Sequence, residues 1–162
     1  MSYSREEVER RAARYAAKKG ISLVDQLGFG VHGVVWATDG KSALKSHSLQ
    51  SFHYERERDI YLRLFQNGVT AVGDCHVPEL VDIDNELRVI EMTIVQPPFV
   101  LDFAGAYLDE TPDFSPEIWA EWEEQKREQF GKDWPRAKAV VAALQQYGIY
   151  MSDVSPNNIR VE

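Results

Sequence analysis

The sequence predicts an α+β fold in which an antiparallel sheet comes first and helices follow. Between residues 21 and 95, β-branched and aromatic runs alternate with the turn signals Asp39-Gly40 and Asp84-Asn85, which is the pattern of β-hairpins. After about residue 115, apolar residues recur at helical spacing. Gln96-Pro97-Pro98 lies between the two patterns and predicts a hinge. We therefore expect a helix over 1–20, a sheet lobe over 21–95 and a helical lobe over 96–162.

Composition and charge narrow the class of protein. The chain has 162 residues and a formal net charge of −8, whereas a nucleic-acid surface needs clustered Lys and Arg. No apolar run approaches the roughly 20 residues that span a bilayer. Cys75 is the one cysteine, which excludes an internal disulfide and a thiolate zinc cluster. The sequence thus predicts a cytoplasmic protein with neither a nucleic-acid nor a membrane partner.

Local signals predict the elements of the first half. Ser4 and Glu7 form a capping box for a helix that ends at Gly20. Ser51 is expected to cap a second helix, from Phe52 to about Gln66. The predicted strands span residues 21–27, 34–37, 41–46, 80–83 and 87–92.

Two helix starts are predicted in the second half. Ser115 followed by Pro116 matches an N-cap and first helical position, and Gly131 lies past the end of that helix. Asp133 is expected to cap the next helix, which runs until Gly148. A loop and a stub of strand complete the sequence.

Gly28, Gly30 and Gly33 have the spacing G-x-G-x-x-G. In dinucleotide-binding folds this spacing opens a helix, but Val34-Val35-Trp36 predicts a strand. That difference favours a β-hairpin folded over phosphate groups, because glycine lets backbone N–H groups approach phosphate oxygens with no Cβ in the way. Taken alone, the motif is equally compatible with a flexible turn that binds nothing.

Two further motifs follow in order. Lys45 ends Ala43-Leu44-Lys45 on the strand after the hairpin, and Asp153 and Asn158 are five residues apart. Singly, these motifs also fit a surface ion pair and an Asx-rich turn. Their order resembles that of the protein kinase-like superfamily over residues 21–162, with a glycine loop, a lysine, a helix, a hinge, two helices and D-x-x-x-x-N. Within that superfamily the chain looks like an atypical or truncated bacterial-type Ser/Thr kinase-like protein.

The resemblance implies an ATP site in the first lobe. Lys45 would hold the phosphates, oriented by a glutamate of the αC-type helix, beneath the loop formed by Gly28, Gly30 and Gly33. Glu55 and Glu57 are the candidates for that glutamate. Glu57 lies one turn before the apolar stripe of the helix, which matches the family pattern better.

The same resemblance implies residues for base binding and catalysis. Ile90 corresponds to the gatekeeper, and the backbone of Glu91 to Thr93 would meet adenine. Asp153 would position the acceptor hydroxyl, and Asn158 would hold Mg²⁺. ATP and Mg²⁺ are therefore the expected ligands.

The sequence also departs from the family. Met151-Ser152 stands where regulated kinases have His-Arg, and Ser155 replaces the lysine that neutralises the transferring phosphoryl group in Ser/Thr kinases. The sequence ends at Glu162, before the D-F-G aspartate that is the family's principal metal ligand. We therefore expect a truncated helical C-lobe. In it, neighbouring aromatic side chains or a protein partner would cover the apolar face of the helix that begins near Trp134.

Two classes of function remain open at this point. The first is a kinase-like ATP-binding protein that transfers the γ-phosphoryl group to a protein Ser/Thr or a small-molecule hydroxyl. The second is a catalytically inactive pseudokinase-like interaction module, or half of a split kinase. The joint presence of Lys45, Glu57, Asp153 and Asn158 favours the first class, and the missing metal aspartate favours the second. The histidines have no metal-ligand spacing and are interpreted as structural: His32, His47, His53 and His76.

Overall fold

The computed structural model describes residues 4–49, 52–103 and 105–162. It divides the chain into two compact units, Met1–Leu62 with Pro78–Ile94 and Arg63–Val77 with Val95–Glu162. Strands and helices are both present, which confirms the predicted α+β class. Among the described residues, no helix combines the length and the apolar character needed to cross a membrane.

Within the described residues, four α-helices and eleven strands follow one another. Their bounds are α1 (Arg5–Lys19), β1 (Leu23–Gly30), β2 (Gly33–Thr38), β3 (Ser42–His47), α2 (His53–Gln66), β4 (Ala71–Val72), β5 (Cys75–His76), β6 (Leu80–Asp84), β7 (Val89–Thr93), β8 (Phe99–Val100), β9 (Tyr107–Leu108), α3 (Pro116–Phe130), α4 (Trp134–Gln145), β10 (Ile149–Tyr150) and β11 (Ile159–Arg160).

The first unit is built on a five-stranded sheet with the order β1-β2-β3-β7-β6, and every neighbouring pair is antiparallel. Helix α1 packs on one face of this sheet. Its apolar side joins the sheet in one core cluster: Val8, Ala12, Tyr15, Val34, Trp36, Leu44, Leu87 and Val89. The predicted ends of α1 are confirmed, since the Ser4 side chain accepts from the Glu7 N–H and Gly20 caps the helix in the left-handed conformation.

The hairpin between β2 and β3 has a longer loop than the sequence predicts. Asp39-Gly40 indicates a two-residue turn, but β3 begins at Ser42 and the loop also includes Lys41. Lys41 has a φ of 61°, and its N–H donates to the carbonyl of Thr38 at 3.2 Å. A third residue in the left-handed region is the usual way in which a three-residue loop joins two strands.

The second unit combines α3 and α4 with two small sheets. One has the order β11-β8-β5-β4, and β9 pairs with β10 in the other. These strands have two residues each. Strands of two residues are too short to show an alternation of apolar and polar side chains. Of these six strands, the sequence predicted only β11.

The capping predictions have three different outcomes. Ser115 caps α3 as expected, because its side chain accepts from the N–H of Ile118, and Pro116 is the first helical residue. Asp133 does not cap α4: it ends a 3₁₀ turn that starts at Gly131, has helical dihedrals and makes no side-chain capping bond. The predicted cap Ser51 lies outside the described residues.

The apolar face of α4 is covered within this unit. Its apolar residues Trp134, Ala137, Val140, Val141 and Leu144 are all buried. Trp134 meets the rings of Trp122 and Phe130, with centroids 6.1 and 5.8 Å away. Aromatic side chains, one of the two expected covers, therefore contact this face of α4.

Candidate functional site

The glycine motif forms the β1–β2 hairpin, as its sequence predicts. Gly28 and Gly30 lie in β1, opposite Val35 and Gly33 of β2, and only two residues separate the strands. The ladder is irregular between Gln26 and Gly28. The motif therefore lies on strands and a turn, and not at the start of a helix as in dinucleotide-binding folds.

The three glycines differ in how much space a side chain would have. Gly33 has a φ of 154°, and a Cβ added there would lie 2.1 Å from the carbonyl oxygen of Ser46. The close approach of β2 and β3 therefore requires glycine at this position. A Cβ at Gly28 or Gly30 would meet nothing within 4 Å. Contacts within the chain therefore do not explain why Gly28 and Gly30 lack a side chain.

Lys45 and Glu57 form the ion pair that the sequence predicts. Lys45 Nζ lies 3.0 Å from Oε1 and 2.9 Å from Oε2 of Glu57. Both residues are buried, with exposed fractions of 8% for Lys45 and 1% for Glu57. The other candidate, Glu55, lies 3.3 Å from Arg88 instead. Glu57 is therefore the glutamate that faces the lysine.

The surroundings of Glu57 keep it ionised. Burial by itself raises the pKa of this carboxyl, but the charge of Lys45 and the hydrogen bond from His47 outweigh burial and lower the pKa to about 2. His47 Nε2 lies 3.0 Å from Glu57 Oε2. The sequence interpretation of His47 as merely structural missed this contact, because it depends on which residues of β3 and α2 meet in space.

The predicted adenine-binding residues Glu91 and Thr93 both make hydrogen bonds within the first unit. Leu44 pairs with Glu91 and Lys45 with Ile90, so Glu91 lies on the α1 side of the sheet and Ile90 on the Lys45 side. The Glu91 carboxylate accepts from Tyr15 at 2.8 Å and from Ser42 at 2.6 Å.

Both the backbone and the side chain of Thr93 make hydrogen bonds with the backbone of Glu79. Its N–H donates to the carbonyl of Glu79 at 2.9 Å, and its hydroxyl oxygen accepts from the Glu79 N–H at 2.8 Å. The side chains of Glu91 and Thr93 thus have partners within the first unit, and the contact of the Glu91 to Thr93 backbone with adenine stays a prediction.

The D-x-x-x-x-N segment forms a closed loop in the second unit, with Asp153 exposed and Asn158 buried. The side-chain oxygen of Asn158 accepts from the N–H of Ser155 at 2.8 Å, and its amide nitrogen donates to the carbonyl of Asp153 at 2.5 Å. The Ser155 hydroxyl lies 3.4 Å from the same Asn158 oxygen. Asn158 thus ties the two ends of the loop together.

The resemblance implies a magnesium role for Asn158, whose side chain also bonds within the loop. Mg²⁺ takes oxygen ligands, and the Asn158 side-chain oxygen, which has two lone pairs, accepts from the Ser155 N–H with one of them. Among the described residues, no group of three or more His, Cys, Asp or Glu side chains is arranged to hold a metal ion. Asn158 thus holds the loop together, and its part in binding Mg²⁺ stays a prediction.

Lys126 is a second residue that sequence reasoning missed. It is buried on α3, its ammonium lies 5.7 Å from the ring centroid of Trp122, and Trp122 Nε1 donates to the carbonyl of Ser152 at 3.2 Å. Burial lowers the pKa of Lys126, and the charge of Asp153 acts in the opposite direction. Lys126 lies in the middle of an acidic, largely exposed helix, so the sequence gives no indication that this lysine is buried.

In comparisons with known proteins, no family model and no curated protein matches this chain. Among solved structures, the "streptomycin-ATP-APH(2")-IIa ternary complex" is similar to it, with a TM-score of 0.40 and 12% sequence identity over 76% of this chain and 37% of that chain. A TM-score of this size does not establish a common fold. What that protein binds is therefore no guide to the ligands of this chain.

Proposed function

We propose that this chain binds ATP, with the glycine hairpin, Lys45 and Glu57 as the part that holds the phosphates. The observation that supports the proposal most strongly is the buried pair of Lys45 and Glu57, joined at 3.0 and 2.9 Å. A kinase-type ATP site needs a lysine fixed by a glutamate in this way, on the strand that follows the glycine hairpin. In this proposal residues 21–95 act as an N-lobe, 96–162 as a helical C-lobe and 1–20 as an added helix.

The energetics of the pair favour a ligand-binding role. A buried ion pair generally contributes no more to stability than a well-packed hydrophobic pair of similar volume, because both ions lose their hydration. Folding alone therefore does not explain a charged Lys45 inside the first unit. A lysine held by Glu57 keeps its charge and its direction, which are the properties that phosphate binding requires.

The space at Gly28 and Gly30 also supports the proposal. No atom lies within 4 Å of the place where a Cβ would stand at either residue. Phosphate oxygens accept hydrogen bonds from backbone N–H groups that they can approach closely. Glycines with open space beside them, on the hairpin next to the Lys45 strand, fit this kind of contact.

Phosphotransfer is the activity that we propose for the second unit, through Asp153. Its exposed carboxylate would accept the proton of an acceptor hydroxyl while the hydroxyl oxygen bonds to the γ-phosphorus. The bond between that phosphorus and the bridging oxygen breaks, and ADP leaves with the bonding electrons. The acceptor is a hydroxyl of a protein or of a small molecule.

A specific observation favours a second candidate, a nucleotide-binding module that transfers no phosphoryl group. The Asn158 side chain bonds to Ser155 and to Asp153, so part of its bonding capacity serves the loop and not a metal ion. A protein of this class binds ATP equally well without Mg²⁺, whereas phosphotransfer depends on metal-bridged phosphates. The effect of Mg²⁺ on ATP binding and turnover therefore distinguishes the two candidates.

Calorimetric titration of ATP, with Mg²⁺ and again with EDTA, tests the proposal. Lys45→Met alone would leave Glu57 buried and unpaired, so the informative variant is Lys45→Met combined with Glu57→Gln, which removes both charges together. We expect its ATP affinity to fall about tenfold or more, which is about 1.4 kcal/mol. Lys41→Met, at an exposed lysine of the β2–β3 loop, is the matched control. Equal affinity in the double variant and in the unmodified protein would overturn the proposal.

A further inference from the structure

His47 is a fully buried residue that the proposed function leaves without a role. It is the last residue of β3 and its exposed fraction is 0%. Because side chains alternate along a strand, Lys45 and His47 point to the same face of the sheet. His47 therefore lies beside the proposed phosphate site, on the face that meets Glu57.

The imidazole of His47 is a second donor to the Glu57 carboxylate. Its Nε2 lies 3.0 Å from Glu57 Oε2, the same oxygen that accepts from Lys45 at 2.9 Å. An ionised carboxylate can only accept, so the proton of this contact belongs to Nε2 of His47. With one donor on each side of Oε2, the carboxylate has less freedom to rotate away from Lys45.

The imidazole is held in place from two further sides. The edge of the Tyr54 ring packs against it, with ring centroids 5.2 Å apart, and its Nδ1 lies 3.3 Å from the carbonyl of Arg88. These contacts fix the ring orientation that aims Nε2 at Glu57.

Helix α1 restrains the backbone of the same residue. The Arg11 guanidinium donates to the carbonyl of His47 at 2.6 Å and to the carbonyl of Leu87 at 2.8 Å. Arg11 is buried, and each of these charged hydrogen bonds is stronger than a neutral one. The N–H of His47 donates to the carbonyl of Arg88 at 3.0 Å, so both backbone groups of His47 have partners.

We infer that His47 is a positioning residue of the proposed phosphate site, which holds Glu57 toward Lys45 while Arg11 of α1 holds His47. The inference deepens the proposed ATP site and rests on it for its functional meaning. It makes α1, which lies outside the kinase-like part of the sequence, a support of the Lys45–Glu57 pair. Lys45 and His47 are the charged or titratable groups that bond to the Glu57 carboxylate from β3.

Two amide variants of His47 separate positioning from space filling. In His47→Gln the amide nitrogen reaches about as far as Nε2, so it can still donate to Glu57. In His47→Asn the shorter amide corresponds to Nδ1, so it does not reach the Glu57 carboxylate. Each variant is labelled with ¹³C in its glutamate carboxyl groups, and Glu57→Gln identifies the Glu57 signal.

The first readout is the titration of Glu57 in the nucleotide-free protein. We expect His47→Gln to keep the low pKa of Glu57, and His47→Asn to raise it by about one unit, because a donor to the charged form is lost. The second readout is ATP affinity, which we expect to fall about tenfold in His47→Asn and to be largely kept in His47→Gln. Equal behaviour of the two variants, or a lower pKa in His47→Asn, would overturn the inference.

A measurement on the unmodified protein decides the matter if neither variant folds. Long-range ¹H–¹⁵N correlation identifies which imidazole nitrogen of His47 carries a proton. Protonated Nε2 is the expected result, and an unprotonated Nε2 would exclude the donation to Glu57. If the unmodified protein does not bind ATP, the proposed function fails. The titration of Glu57 in the His47 variants still tests whether His47 positions Glu57, because it requires no ATP.

Discussion

The hydroxyl of Tyr15 on α1 donates to the Glu91 carboxylate in the middle of β7, at a distance of 2.8 Å. The other oxygen of Glu91 accepts from Ser42 at 2.6 Å, so both oxygens of this buried carboxylate have a partner. The bond joins the added helix to a central strand of the sheet.

Removal of the Tyr15 hydroxyl should destabilise the first unit. Tyr15→Phe leaves one oxygen of buried Glu91 without its donor, which costs on the order of 1–3 kcal/mol. We expect a lower midpoint of urea unfolding with little change in ATP affinity, since Glu91 lies on the opposite face from Lys45. The double variant with Glu91→Gln measures the coupling of the two residues. A coupling energy near zero would contradict this account of the contact.

The Lys45–Glu57 pair should make the protein sensitive to acid. The pKa of Glu57 lies at about 2, below its ordinary value of 4.5. Its contribution to stability is therefore fully present above pH 4.5 and is lost as the pH falls toward 2, by on the order of 3 kcal/mol in all. Urea unfolding of the unmodified protein and of Lys45→Met combined with Glu57→Gln, each at pH 3 and pH 7, measures this contribution. The account fails if both proteins lose the same free energy of unfolding between these two pH values.

The fold class and the paired residues of the candidate site could be predicted from the sequence. The β1–β2 hairpin followed from strand-forming residues on both sides of the glycines, and Lys45 and Glu57 followed from their order after that hairpin. Such features are local in sequence, or belong to a motif with fixed order. The choice of Glu57 over Glu55 followed from the position of the apolar stripe on α2.

Features that depend on tertiary contacts could not be predicted in this way. His47, Arg11 and Tyr15 acquire their partners only when α1 packs on the sheet and β3 pairs with β7, because these contacts join residues far apart in sequence. Asp133 failed as a cap because a 3₁₀ turn precedes α4. Asn158 matched the spacing of a metal ligand, but spacing does not reveal that its amide bonds to its own loop.

Alanine substitutions should separate the three glycines of the hairpin. Gly33→Ala would force a Cβ to 2.1 Å from the carbonyl oxygen of Ser46, and overpacking of this kind costs roughly 1–3 kcal/mol or more. Gly28→Ala and Gly30→Ala meet open space, so we expect the free energy of unfolding to stay the same or to rise, while ATP affinity falls. If either variant kept full ATP affinity, that glycine would have no part in phosphate binding.

Asn158→Ala should destabilise the second unit with or without Mg²⁺. The substitution removes the bonds to Ser155 and Asp153, each worth roughly 0.5–1.5 kcal/mol. We expect the same loss of thermal stability in Mg²⁺ and in EDTA. An effect confined to Mg²⁺ would indicate that Asn158 binds the metal, and it would contradict the loop bonds as the source of its contribution to stability.

The central claim is that the glycine hairpin and Lys45 hold the phosphates of ATP. The most direct test is a titration of ATP, with Mg²⁺ and again with EDTA, followed by NMR of the backbone amides and of the lysine side chains. We predict saturable shifts at Gly28, Gly30 and the Lys45 ammonium, which are absent when adenosine replaces ATP. No shift at Lys45, or shifts confined to residues away from the hairpin, would contradict the claim.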